Sequence, residues 1–216
     1  MKQKFIAEYL GTAFLLMIVV GSGIMGERLA QGNEAIALLA NSLATGAGLF
    51  VLIQSLGSIS GAHFNPVVSL VEALWWRLDR KSLLSYWSAQ FLGAITGVLV
   101  SHAMFHQTIL QISLKDRGGL HLMTSEVVAT FGLICTIALA GRKHVEFAPF
   151  SIAAYITAAY WFTSSTSFAN PAVTVARMFT NTFCGISPAG VIPFIIAQIL
   201  GATVAFLVMR KLAQAH

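Results

Sequence analysis

Charge is scarce in this chain. Of 216 residues, only 10% are Asp, Glu, Lys or Arg, while 56% are hydrophobic and the mean hydropathy is +0.77. A soluble domain of this length carries about a quarter charged residues, so the shortage excludes one and marks an integral membrane protein. The net charge of +5 is explained by membrane topology rather than by nucleic acid, and no nucleic-acid partner is expected. Cysteine is nearly absent too. Cys135 lies inside an apolar run, and with Cys184 it makes no disulfide framework. The chain has no HExxH, no phosphate-binding glycine loop and no nucleophile box, so neither an enzyme nor a cofactor is expected. His102 and His106 stand four apart, a spacing that suits a shared metal, but no third ligand is fixed by sequence and no metal site is assigned. A cleavable signal peptide is not expected either, because the first apolar stretch is too long for one and contains Glu8.

Apolar length is what the chain has in quantity. About 20 predominantly apolar residues cross a bilayer core as a helix. Six stretches qualify, near Phe5–Gly26, Ala35–Gly57, Leu83–Met104, Leu122–Ala140, Phe147–Ser167 and Gly190–Met209. Two shorter apolar segments remain, Asn65–Trp76 and Asn170–Phe179, each long enough for about half the membrane. Basic residues set the orientation. With both termini cytoplasmic, Lys2, Lys4, Arg77, Arg80, Lys81, Arg142, Lys143, Arg210 and Lys211 lie inside, and Arg28, Lys115, Arg117 and Arg177 outside. Trp75, Trp76 and Trp87 lie near the cytoplasmic charges, as an interfacial aromatic belt would.

The sequence also repeats itself. AEYLGTAFL (Ala7–Leu15) matches SEVVATFGL (Ser125–Leu133), pairing Glu8 with Glu126. HFNPVVSLVEAL (His63–Leu74) matches FANPAVTVARMF (Phe168–Phe179), and AQFLGA (Ala89–Ala94) matches AQILGA (Ala197–Ala202). Each half holds three spans, an odd number, so the halves, about 1–106 and 121–216 of a single domain 1–216, insert with opposite topology. Such inverted repeats place the functional site at their interface, on interrupted helices. Asn-Pro is a helix start, with Asn as N-cap and Pro at the first helical position. Two such starts predict re-entrant half-helices whose N-termini meet at the membrane centre. GSISGAH (Gly57–His63) and FTSSTSFA (Phe162–Ala169) are read as the polar arms leading to them. The fold class is therefore an all-α membrane protein with six transmembrane helices and two re-entrant half-helices in an inverted repeat.

On SGAHFNPV (Ser60–Val67), SFANPAV (Ser167–Val173) and the pairs Glu8/Glu126 and Gln90/Gln198, the chain resembles the aquaporins, the major intrinsic protein family, over essentially its whole length. The resemblance implies a homotetramer in the lipid bilayer, with one pore per protomer passing water or small neutral solutes. It implies boxes Asn65-Pro66-Val67 and Asn170-Pro171-Ala172 at the pore centre, with Val67 where the family usually has Ala. Asn65 and Asn170 would present amide donors to the lumen, and each half-helix N-terminus would add partial positive charge. Glu8 and Glu126 are acids in apolar spans, and two readings stand: proton coupling, or acceptance of backbone N–H groups from a re-entrant arm. Repeat symmetry favours the second, with Gln90 and Gln198 helping and His63 a hydrogen-bonded scaffold residue of the first arm.

The filter departs from the family pattern. Where most members carry Arg after the second box, this chain has Val173. Counted by the family's spacing, the other filter positions fall on Thr45, Ala158 and Ser167. This small, uncharged quartet resembles that of bacterial aquaglyceroporin-like members linked to metalloids, and implies glycerol, urea and trihydroxy species such as arsenite as solutes. Arg177, one turn beyond Val173, is either a vestibule charge or an interfacial anchor. A proton-coupled transporter and a water-selective channel are the competing functions, and a bacterial inner membrane is the expected location.

Overall fold

The computed structural model describes residues 1–75, 77–140 and 145–214. Trp76 of the aromatic belt, and Arg142 and Lys143 of the cytoplasmic charge set, lie outside the described residues. The order is α1 (Lys2–Ala30), α2 (Glu34–Ser60), α3 (Pro66–Leu74), α4 (Arg80–Met104), α5 (Leu120–Ala140), a short 3-10 turn (Val145–Phe147), α6 (Ala148–Phe162), α7 (Pro171–Arg177) and α8 (Pro188–Gln214).

Local chemistry sets most of these boundaries. Asn33 caps α2 by accepting the Ile36 N–H, and Asp79 caps α4 by accepting those of Lys81 and Ser82. Gly61 ends α2 in the left-handed region at φ 87°, where a side chain would be strained. α3 and α7 both begin at Pro directly after an Asn N-cap.

Five helices, α1, α2, α4, α5 and α8, are long and apolar enough to cross a membrane among the described residues. The sixth crossing element is α6, and here the expected span needs correction. The apolar stretch Phe147–Ser167 and the arm Phe162–Ala169 overlap in sequence, and the fold sides with the arm: α6 has 15 residues, about 22 Å of rise, and stops at Phe162. Thr163 turns extended and its hydroxyl folds back on the Ala159 carbonyl. The rest of the predicted span is arm. The first arm is corrected in the opposite sense: Gly57–Ser60 belong to α2, so that arm starts at Gly61.

α1 packs between α2 and α4, α5 between α6 and α8, and α2 against α6 along the seam between halves. α3 and α7 both pack on α4 and α8. Close approach is required at matching places. A Cβ on Gly93 would collide with the Tyr9 carbonyl, and one on Gly201 with the Val127 carbonyl. These are the same positions of the two repeats, so backbone meets backbone in both α1–α4 and α5–α8. Gly93→Leu and Gly201→Leu should each destabilise the fold by roughly 1–3 kcal/mol or more, read as a lower thermal midpoint in detergent, because backbone cannot step aside. Gly57→Ala, with nothing within 4 Å of the added carbon, should be neutral in the same melt. The outer faces carry exposed Leu10, Phe14, Leu43, Phe150, Ile192 and Ile196, a surface that lipid, not water, covers.

Candidate functional site

The two arms carry most of the non-glycine positive-φ backbone among the described residues. Ala62 and Phe64 on the first, and Ser167 and Ala169 on the second, hold positive φ between 47° and 51°. Non-glycine residues adopt this region only when the surroundings insist. The insistence comes from two buried carboxylates. Glu8 on α1 accepts the His63 N–H (3.0 Å) and Ser60 hydroxyl (2.6 Å) on Oε1, and the Phe64 N–H (2.8 Å) and Gln90 amide (2.8 Å) on Oε2. Glu126 on α5 accepts the Phe168 N–H (2.9 Å) and Ser165 hydroxyl (2.6 Å) on Oε1, and the Ala169 N–H (2.8 Å) and Gln198 amide (2.6 Å) on Oε2. All four acceptor directions of each carboxylate are used, and the two sets match position for position. Gln90 donates onward to the Ser69 hydroxyl and Gln198 to the Thr174 hydroxyl, tying each arm to its own half-helix. Ser69 and Thr174 both stand four residues after their Asn, a match the repeat itself carries.

The half-helices meet at their N-termini. Asn65 Oδ1 accepts the Val67 N–H, while its amide donates to the Ala169 carbonyl at 2.8 Å. Asn170 Oδ1 accepts the Ala172 and Val173 N–H groups, while its amide donates to the Phe64 carbonyl at 2.8 Å. Each Asn thus caps its own helix and clasps the opposite arm. An amide nitrogen has two protons, so one per Asn remains for the lumen.

A cavity of about 280 Å³ runs along these groups, from Glu72 at the C-terminal end of α3, past Asn65 and Asn170, to Arg177 at the C-terminal end of α7. Residues Gly61 to Phe64 and Ser167 to Phe168 give one wall, and aliphatic side chains such as Leu15, Leu49, Leu133 and Ile152 give the other. His63 lies on this wall, its Nδ1 3.0 Å from the Ser69 hydroxyl and its ring edge-on to Tyr86. Pro66, Val67, Pro171 and Ala172 are buried behind it.

Of the filter positions counted by spacing, Thr45, Ser167 and Val173 line the cavity. Ala158 does not: it is exposed on the outer face of α6, in register with Ala154 and Phe150. The lining residues of α6 are Ile156 and Tyr160 instead. Tyr160 is 4% exposed and its hydroxyl sits 3.3 Å from that of Thr45. On the α6 side the cavity is thus lined by a large aromatic residue, Tyr160, and not by the small Ala158 counted from the family's spacing. Ser167 Oγ is buried and has no hydrogen-bond partner among the described residues.

Arg177 is also on the cavity wall and is 2% exposed, so it does not reach out to anchor at an interface. His102 is fully buried, with Nδ1 2.8 Å from the Ile109 carbonyl and Nε2 2.9 Å from the Thr180 hydroxyl, so both ring nitrogens are engaged. Cys135 and Cys184 are free thiols. Trp87, assigned to the interfacial belt, spends its indole N–H on the Pro66 carbonyl at 3.0 Å.

Comparison with known proteins covers nearly the whole chain. The family described as Major intrinsic protein matches residues 1–167. Aquaglyceroporin AqpS of Rhizobium meliloti (strain 1021) is 52% identical over 212 residues, covering 98% of this chain and 91% of the relative. Aquaporin NIP2-2 of Zea mays is 31% identical over 192 residues, 85% of this chain and 64% of the relative. Among solved structures, that of the aquaglyceroporin from Plasmodium falciparum superposes with a TM-score of 0.74 at 20% identity, covering 95% of this chain and 94% of that one, which establishes likeness of fold.

Proposed function

This chain belongs to the major intrinsic protein family, and from that premise we propose that its lumen is the cavity between Glu72 and Arg177 and that its solutes extend to neutral polyols and trihydroxy metalloids. It is a multi-pass membrane protein and a passive channel for water and small neutral solutes. The observation that carries the reading of the lumen is its two-sided wall. Arm backbone, Asn65, Asn170 and the unpartnered Ser167 hydroxyl offer hydrogen bonds on one side, and aliphatic side chains offer none on the other. A polyol keeps its hydroxyls bonded on the first side and its carbon face dry on the second.

In this reading the free amide protons of Asn65 and Asn170, with two half-helix N-termini behind them, turn a passing water oxygen toward the centre and break proton hopping. Thr45, Tyr160, Ser167 and Val173 form the narrow end. The chain is one channel domain, 1–216, with halves 1–106 and 121–216, working as a homotetramer in a bacterial inner membrane with both termini cytoplasmic. Glu8 and Glu126 act as clamps for the arms. Every acceptor direction of each is occupied, so cycling a proton through either would release an arm, which argues against the coupled-transporter reading.

Stopped-flow light scattering on proteoliposomes tests this. Water, glycerol, urea and arsenite should all pass, without saturation and without response to a proton gradient. Fast water with glycerol and arsenite excluded would favour the water-selective alternative. The filter assignment has its own check. Ala158→Leu, on the outer face, should leave glycerol flux within about twofold, while Tyr160→Ala should raise flux of the largest permeant solutes several-fold by widening the lumen. The opposite pattern would restore Ala158 to the filter.

A further inference from the structure

We propose that Arg177 is the cation barrier of this channel, seated one helical turn beyond Val173 and held over the lumen by Phe168 and Cys184. The inference rests on the assignment of the cavity as the lumen and goes beyond it by naming the charge that governs it.

Three observations carry it. First, Arg177 is almost completely buried yet lines the cavity, so its field acts on the lumen rather than on bulk water. Second, its orientation is fixed on two sides. Nε donates to the Cys184 carbonyl, and the guanidinium carbon lies 3.5 Å from the centre of the Phe168 ring. Among the described residues the terminal nitrogens make no hydrogen bond, which leaves donors for a solute. Third, among the described residues no carboxylate lies within ion-pair distance of it, and Glu126 and Glu27 reach its neighbours Arg117, Lys115 and Cys184 only through longer-range attraction. The ion pair among the described residues is Arg77 with Glu72, at the opposite end of the cavity. The neighbours of Arg177 are cations instead. Arg117, from the segment between α4 and α5, places its guanidinium carbon 5.0 Å from the centre of the same Phe168 ring. It donates to the Gly185 and Ser165 carbonyls at 2.8 and 3.1 Å. Burial first and Arg177 second pull Arg117 down to about 10, so it stays charged at neutral pH. Lys115 nearby donates to the Phe183 carbonyl.

The chemistry follows from this arrangement. A guanidinium held in a site of low dielectric repels a cation far more strongly than it would in water, and its planar donors can serve a neutral solute in passing. Val173 lacks both properties. Moving the charge one turn outward keeps the barrier while leaving the position beside Thr45 and Tyr160 uncharged, so charge exclusion and width are set by different residues.

The test uses the full-length protein in proteoliposomes, with potassium flux and glycerol flux measured on the same preparation. The native protein should pass glycerol and hold potassium at the protein-free rate. Arg177→Gln should raise potassium flux by about tenfold or more and still conduct glycerol, Arg177→Lys should stay tight to potassium, and Arg117→Gln should leak less than Arg177→Gln. Arg177→His provides an internal control that does not depend on comparing folded yields. Its potassium flux should fall as the pH is lowered and the imidazole gains its charge, with the transition below the range of a free imidazole because the site is buried and faces Arg117 and Lys115. Tightness to potassium at every pH in both Gln and His variants that still conduct glycerol would overturn the barrier and move it to the Asn65–Asn170 pair. Absence of glycerol flux in the native protein would instead overturn the channel reading beneath it.

Discussion

Val173→Arg should cut glycerol and arsenite flux by about tenfold or more while water flux falls about threefold or less, since diameter and donors set the cut-off of such a pore. Val173 is 5% exposed and lines the lumen near Thr45, Ser167 and Tyr160. Arg is longer, permanently charged and planar, and a guanidinium there fills space that Val leaves open. The side chains named around it offer hydroxyls and no carboxylate, with Tyr160 and Thr45 already 3.3 Å from one another. Arg177, one turn away, would repel it, which drives the new side chain further across the lumen. Water is small enough to pass and can bond to the guanidinium. A molecule with three hydroxyls must shed more water and needs more width. The measurement is stopped-flow scattering at equal protein incorporation. Equal losses for water and glycerol, or none, would show that residue 173 does not line the narrowest point.

Glu126→Gln should be the most destabilising single change in the site, with Glu8→Gln close behind. A carboxylate offers acceptors on both oxygens, and Glu126 uses both, each for one backbone N–H and one side-chain donor. Glutamine keeps one acceptor and turns an NH₂ group toward donors on the other side. Two charge-assisted bonds are lost, at about 1.5–3 kcal/mol each, and donor faces donor at Ala169 and Gln198. The arm then has less to hold Ser167 and Ala169 in the left-handed region. The expected result is a fall in thermal midpoint together with a loss of conductance for all solutes. A variant as stable as the parent that loses only a proton-driven uptake would support the coupled transporter instead.

Much of this site was legible because it is written twice. Glu8 with Glu126, Gln90 with Gln198 and the two Asn-Pro pairs stand at matching places in the repeat, and each pair makes matching bonds in the fold. Pairing across halves supplied what one copy would not, namely that each acid has one arm within its reach. Elements outside the repeat were harder to read. Arg117 lies in an irregular segment where no period points a side chain anywhere. Its place beside Phe168 comes from how the α4–α5 segment folds over the arm.

By itself the sequence determined the membrane class, the helix starts and the half-helices, since hydropathy, N-cap chemistry and proline stereochemistry act over a few residues and need no partner. It did not determine the ends of α6 and of the first arm. The Thr and Ser residues after Phe162 are polar but lie inside an otherwise apolar window, and where the chain leaves the helix is set by Glu126, which takes the Ser165 hydroxyl and the N–H groups of Phe168 and Ala169. Nor did it determine which α6 residue faces the pore. Ala158 and Tyr160 are two residues apart, about 200° around a helix, so a spacing carried over from other chains lands on the outer face with a small error in register. That rotation is fixed by packing: α6 seats against α2 and α5, the Tyr160 hydroxyl meets Thr45 on α2, and the tertiary contact, not the local pattern, decides which side chain narrows the lumen.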